Sequence, residues 1–365
     1  MLSMRLTESP SLLTRVLAFR PAEDWLRRYY LPLTVVPLAL LIFDEFHVFG
    51  PHLQRWDWLF VTGWVTFLLT FKATFLLPNK VDAALDRLAA SQVLVHDENT
   101  LSDFKRDLHE SCRRAASIGG IVVAVVLALA WIVAKRGALP SYLLTVLLEV
   151  AGAFLAGSFI VRAVTYGRLG QRLKKKKFTI KAEPEHLDGV AGLRPIGRLY
   201  FFQSAIIAVA GVFLAAWWLV IPLFGDRYSG WRGVYAGLLV FVVFCEFLTF
   251  FAPMWSFHRI MTNAKANLLT EADQISEEVT RIQEQLRTGV DDGLATQLQD
   301  KLVRQTNRYN AIVEMPTWPV DKPIRRRFAL NNLFLFIPVI AQAVGAPSSW
   351  QHLLDTGQKF LSGQG

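Results

Sequence analysis

The chain has 365 residues, 53% of them hydrophobic and only 19% charged, with 26 Phe and 11 Trp. Soluble globular proteins carry about a quarter charged residues, so an ordinary water-soluble domain is excluded. The net charge of +9 does not indicate nucleic acid, because 32 of the 39 Lys and Arg fall in four stretches that alternate with apolar hairpins, the positive-inside pattern of a multi-pass membrane protein.

Residues 1–30 read as an interfacial segment. Leu12, Leu13, Val16 and Leu17, then Trp25 and Leu26, are interleaved with arginines, which predicts an amphipathic surface helix over 10–28 broken at Pro21. A frayed polar terminus fits the same residues. No apolar h-region precedes the first span, so no cleavable signal peptide is expected and the N-terminus is placed in the cytoplasm.

A six-helix transmembrane domain is predicted over 31–255. Its first span, 31–43, contains Pro32 and Pro37. The second runs over 56–77 and carries Lys72 near its inner end. A basic loop, 79–117, follows, with two short amphipathic faces: Val81, Ala84, Leu85 and Leu88, then Leu101, Phe104, Leu108 and Cys112. The second face is expected to continue into the third span, 118–134, whose Gly119, Gly120 and Ala124 favour close helix packing. The fourth span, 142–162, is an apolar run of roughly 20 residues, the length that crosses ~30 Å of hydrocarbon. One carboxylate, Glu149, interrupts it.

The inner loop 163–200 holds the Lys174, Lys175, Lys176 and Lys177 block, and then the stretch from Glu183 to Gly197, EPEHLDGVAGLRPIG. A fifth span at 201–224 and a sixth at 234–255 follow. The sixth carries Glu246 and is expected to close at Pro253. Beyond it Met261, Lys265, Leu268, Ala272, Ile275, Val279, Ile282 and Leu286 step by fours and threes, a heptad seam with lysine at one position. The turn Gly289 to Gly293 reverses the chain, and Leu294, Leu298, Leu302, Tyr309 and Ile312 return, with Gln305 at one seam position. A cytoplasmic antiparallel coiled-coil hairpin is therefore predicted over 256–315. PTWP at 316–319 and Arg325, Arg326 and Arg327 precede a last apolar stretch, 328–344. Within 316–345 a seventh span is favoured, with a re-entrant segment as the alternative. A tail, 346–365, completes an all-α, polytopic fold of six to seven membrane helices.

Chemistry is sparse. Cys112 and Cys245 lie far apart, without CxxC, so neither a disulfide nor zinc is indicated. H-E-x-x-H, G-x-S-x-G, Walker A and the dinucleotide fingerprint are all missing, so no enzyme class and no cofactor is indicated. Intramembrane ionisable groups are the strongest leads, since a charge at the helix centre costs about 2.5–3.5 kcal/mol even on insertion scales. Glu149 and Glu246 are read as candidates for a proton or cation path, against a structural hydrogen bond between helices. Lys72 is read as a candidate beside them, or as an anchor that snorkels to the interface. In the inner loop, Glu185, His186 and Asp188 are chemically sufficient for a weak metal or lipid-phosphate site. A glycine-shaped turn explains the same residues. The metal motif D-x-x-D-G-x-x-A-R of the CDP-alcohol phosphotransferases is not met, because Gly192-Leu193 stands where Ala-Arg is needed. The lysines at 174–177 read as a topogenic block in contact with anionic headgroups.

The HxDG…GLxPxG loop before one apolar stretch, with PTWPxD before another, resembles uncharacterised prokaryotic multi-pass inner-membrane proteins. Leu187 stands here where proline is expected. The resemblance covers about the second half of the chain and implies a prokaryotic plasma membrane but no activity. Two function classes stay open: an ion-conducting or transporting homo-oligomer with the hairpin as assembly or gating arm, and a non-conducting scaffold whose hairpin docks a cytosolic partner through 258–315. A lipid-acting enzyme built on Glu185, His186 and Asp188 is a third.

Overall fold

A helix satisfies its own backbone polar groups, so apolar runs that lack turn chemistry fold as helices. The computed structural model describes residues 58–95, 98–134, 143–222, 231–289 and 291–343. Within them the order is α1 (Trp58–Ala90), β1 (Leu94–Val95), α2 (Glu98–Ala134), α3 (Leu143–Gly167), α4 (Leu169–Lys175), β2 (Thr179–Ile180), α5 (Arg194–Val220), α6 (Trp231–Arg287), α7 (Asp292–Val313) and α8 (Lys322–Ala343). The fold is all-α apart from one antiparallel strand pair, in which Leu94 faces Ile180 and Val95 faces Thr179. The surface helix over 10–28, the first span and the tail 346–365 lie outside the described residues.

Among the described residues five helices are long and apolar enough to cross a membrane, over Val61–Ala90, Thr100–Ala130, Glu149–Gly167, Arg194–Val220 and Tyr235–Arg287. Their outer faces are apolar: Ile121, Val122, Val126 and Leu129 on α2 and Val240, Phe241 and Phe244 on α6 are all exposed. Water-soluble proteins do not present apolar surface of this extent. The favoured seventh span forms a helix, α8, but α8 is not among these five. Its first turns carry Arg325, Arg326 and Arg327, and Asn331 and Asn332 interrupt the apolar run behind them.

Two helices run past the expected ends of their spans. α1 continues through Pro78, so the face of Val81, Ala84, Leu85 and Leu88 belongs to the same helix as the second span. α6, 57 residues long, runs through Pro253 and joins the expected sixth span to the first arm of the expected hairpin. A proline inside a helix needs room for its ring. The Pro253 ring packs against the end of α3 at Gly167, where an added Cβ would lie 3.1 Å from the proline Cγ. The second amphipathic face joins the third span in α2, as the sequence predicts. The fifth helix starts at Arg194, seven residues before the expected span, because Pro195 suits the first helical turn and Asp188 reaches the Arg194 amide.

The chain divides into two units, Met1–Thr74 with Phe104–Thr165, and Phe75–Asp103 with Tyr166–Gly365. In the first, α2 and α3 approach through glycine. A side chain at Gly119 would strike Val161, one at Gly120 would strike Ser158, and one at Gly157 would strike the Gly119 carbonyl. These are the small residues whose spacing predicts close packing.

In the second unit α5 and α6 lie side by side, with Phe201 edge-on to Phe250, and α8 packs on both. Phe328 of α8 stacks on Phe250 at 4.2 Å, and Leu335 fills the space opposite Gly211. Farther along, α6 and α7 pair around Ala272, Ile275 and Ile312, flanked by Leu268, Val279 and Tyr309. The two polar seam residues are both engaged. Lys265 Nζ donates to the carbonyls of Val313 and Met315 at 2.7 and 2.9 Å, where the end of α7 leaves carbonyls without helical partners. Gln305 donates to Glu278 at 3.0 Å.

Candidate functional site

Three helices build the best-defined polar cluster within the apolar part of the second unit. α6 supplies Glu246, only 1% exposed. α8 supplies Asn331 and Asn332, and α5 packs beside both helices. Asn331 Nδ2 donates to Glu246 Oε1 at 2.9 Å, and Asn332 Nδ2 lies 3.5 Å from the same oxygen. Asn332 also donates to the Phe328 carbonyl at 3.0 Å, which fixes its amide so that Oδ1 is the remaining acceptor. Phe247, Phe250 and Phe328 form the apolar wall next to this cluster.

Its hydrogen-bond accounting does not close. Glu246 Oε2 and Asn332 Oδ1 are both buried and meet no donor among the described residues. Both are acceptors, so neither can satisfy the other while the carboxyl carries no proton. A buried polar group left unpaired costs about 1–3 kcal/mol, and more when charged. A proton on the carboxyl converts its unpaired acceptor to a donor, and a small cation would likewise be met by the carboxylate oxygen. The cluster is therefore chemically suited to take up positive charge.

Sequence reasoning finds Glu246 and misses its partners. The signal was present as two adjacent asparagines in an otherwise apolar run, a pairing that is expensive in a membrane without an acceptor opposite.

The remaining candidates fall elsewhere. Glu149 is exposed on α3, and Lys72 is exposed on α1. Glu149 belongs to the first unit and Glu246 to the second. Lys174, Lys175, Lys176 and Lys177 are exposed at the end of α4 and just beyond it.

The inner loop is a folded turn. Asp188 Oδ1 accepts from the amides of Val190 and Gly192, both at 2.9 Å, and Oδ2 accepts from the Arg194 amide at 3.1 Å. The carboxylate thus ties the loop down and caps α5 from six residues upstream, where negative charge suits the helix start. Gly192 has φ +85 and faces Val93 so closely that any side chain would collide with it. His186 Nδ1 lies 3.3 Å from the Asp188 amide and 3.1 Å from its carboxylate. Glu185 lies 3.6 Å from Arg308 of α7. Partial burial works against the Arg308 charge, but its hydrogen bond and attraction to Glu271, with Glu185 beyond, outweigh this and hold it above the usual range. Among the described residues no group of three or more His, Cys, Asp or Glu is placed to hold a metal ion. Of the three loop-site residues, Asp188 is the one whose oxygens are taken up by backbone amides.

This loop and the PTWP stretch meet. An added Cβ at Gly197 would lie on the Pro319 carbonyl, and Arg194 Nε lies 2.6 Å from Asp321. His258 of α6 bonds the Thr317 carbonyl at 2.7 Å and stacks on Trp318 at 4.4 Å. The two motifs that stand out in the sequence are thus two sides of one packing junction. No protein-family model matches the chain, and neither a curated protein nor a solved structure matches it.

Proposed function

We propose that this chain is a multi-pass protein of a prokaryotic inner membrane that moves a proton or small cation, with Glu246 as the group that takes up the charge. Its N-terminus is cytoplasmic, several copies assemble, and α6 and α7 form a cytoplasmic coiled-coil hairpin that assembles or gates them. The apolar outer faces of α2 and α6 support the membrane setting. The observation that carries the transport reading is the buried Glu246 carboxylate, held at one oxygen by Asn331 and meeting no donor among the described residues at the other. A structural hydrogen bond between helices needs only the first oxygen. The second makes the carboxyl a site that is completed by positive charge.

The test is flux through liposomes containing the purified full chain, across proton and cation gradients. Glu246→Gln keeps the shape and the bond to Asn331 but removes the titrating group. It is expected to lower flux about a hundredfold, in the range that a positioned proton-transfer group supplies, with an unchanged melting profile. Flux equal to wild type overturns the reading.

A second reading has its own observation. Leu269, Val303 and Val313 leave apolar side chains exposed on the hairpin. They suit a scaffold whose hairpin docks a cytosolic partner. Deleting 268–309 would then abolish capture of that partner while Glu246→Gln leaves it intact. Equal capture by the deleted and full-length proteins removes this alternative.

A further inference from the structure

The second unit contains a cavity of about 390 Å³, within the 300–1,000 Å³ range of small-ligand sites. It lies where three helices change character. α1 brings Lys80 and Arg87, just after Phe75, Leu76 and Leu77. The first turns of α5 bring Arg194 and Arg198, just before the apolar body of that helix. Arg327 comes from α8, one residue before the buried Phe328.

Five cations thus surround one carboxylate, Asp321, and that carboxylate is already engaged. Its Oδ2 lies 2.6 Å from Arg194 Nε, and its Oδ1 accepts from the Ile324 amide at 2.9 Å. The other four, Lys80, Arg87, Arg198 and Arg327, have no acidic partner among the described residues. Lys80 lies over the Phe202 ring at 5.5 Å, which orients it without neutralising it. The amino-terminal ends of α5 and α8 also line the cavity, and their dipoles add field of the same sign.

Four like charges around one concave site repel one another, and an anion relieves that repulsion. Arginine predominates, and its planar fork suits phosphate oxygens. The rest of the lining is apolar, with Leu199, Phe201 and Ile324 beside the charges. We infer that this cavity binds a phosphate group carried on an apolar body. The helices' change from apolar to basic at this level makes the headgroup of an anionic phospholipid the favoured source. That source rests on the membrane setting proposed above; the phosphate site itself uses no residue of the Glu246 cluster and does not depend on transport.

The experiment uses the full chain in detergent, with lipid retention read by native mass spectrometry. Phosphatidylglycerol is compared with phosphatidylcholine, and inorganic phosphate is tested separately by thermal shift. Wild type is expected to retain phosphatidylglycerol preferentially. The double variant Arg87→Glu/Arg198→Glu is expected to lose about tenfold of that retention, and Arg87→Lys/Arg198→Lys to recover part of it. The control Arg281→Glu/Arg287→Glu, exposed on α6 and outside the cavity, should behave as wild type. If the charge-reversed protein does not fold, Arg87→Gln/Arg198→Gln gives the same reading. Protection by inorganic phosphate that the cavity variants abolish, without preference between the two lipids, supports the site with a soluble phosphate as its source. The inference is overturned if cavity variants and wild type respond alike to both probes, or if the Arg281→Glu/Arg287→Glu control loses as much as they do.

Discussion

Two carboxylates in the second unit show how differently an acid can be used. Asp188 meets three backbone amides and has a donor at each oxygen. Glu246 meets one side-chain amide at bonding distance and has an oxygen with no donor among the described residues. From sequence alone both are acids in unusual company, and Asp188, with His186 and Glu185 beside it, has the richer chemistry. Geometry reverses that order. An acid whose oxygens are all occupied by fixed amides holds shape, whereas a buried acid with a missing partner is suited to bind and release charge.

The sharpest way to break this comparison is to neutralise each acid and measure both flux and stability. Glu246→Gln should cost about a hundredfold in flux and little in melting temperature. A loss of stability with no loss of flux would make Glu246 a second Asp188. The next largest effect is expected at the junction that Asp188 supports. Gly197→Val places a side chain against the Pro319 carbonyl, where neither backbone can yield easily. Overpacking of this kind costs about 3 kcal/mol, at the upper end of its usual range, and would appear as a lowered unfolding midpoint. An unchanged midpoint would mean that the loop and the PTWP stretch do not hold each other.

Asp188→Ala should be milder, at about 2 kcal/mol, because it removes a helix cap and leaves loop amides that water can partly reach. It should lower the melting temperature and leave flux per folded molecule unchanged. Loss of flux in a protein of unaltered stability would return the inner loop to the list of active sites. Adding Zn²⁺ or EDTA to the wild-type protein provides an independent check, since neither should alter its melting if Asp188 serves only as a cap.

Much of the fold was legible because it rests on periodicity and length. The apolar runs became helices, Gly119 and Gly120 sit at a close helix contact, and Ala272, Ile275 and Ile312 meet around the seam. Continuity through Pro78 and Pro253 was not legible. Proline usually marks a helix end, and the glycine its ring packs on, Gly167, lies 86 positions away in the chain. The strand pair is two residues on each side, too short to show alternation. In the candidate site the acid was visible and its partners were not, since a hydrogen bond between α6 and α8 joins residues 85 apart. The basic cavity was hidden for the same reason. Its cations were counted toward topology in three separate segments, and only folding brings them around one space.

Lys265 offers the smallest effect and the clearest sign. By heptad logic a lysine in an apolar seam is a defect, so Lys265→Met should stabilise the pairing of α6 with α7. The structure gives the opposite expectation. The ammonium group holds the Val313 and Met315 carbonyls at the end of α7, where positive charge also suits the helix dipole. Methionine keeps the aliphatic packing and removes the donors, so it isolates the hydrogen bonds from the stem. The change should destabilise by about 1 kcal/mol, read as faster amide exchange over 294–313 than in the wild-type protein. Slower exchange would show that the seam prefers an apolar residue and that Lys265 is the same kind of exception as Glu246, a polar group kept at a structural cost. Faster exchange places it with Asp188, among the groups whose charge is consumed by the backbone.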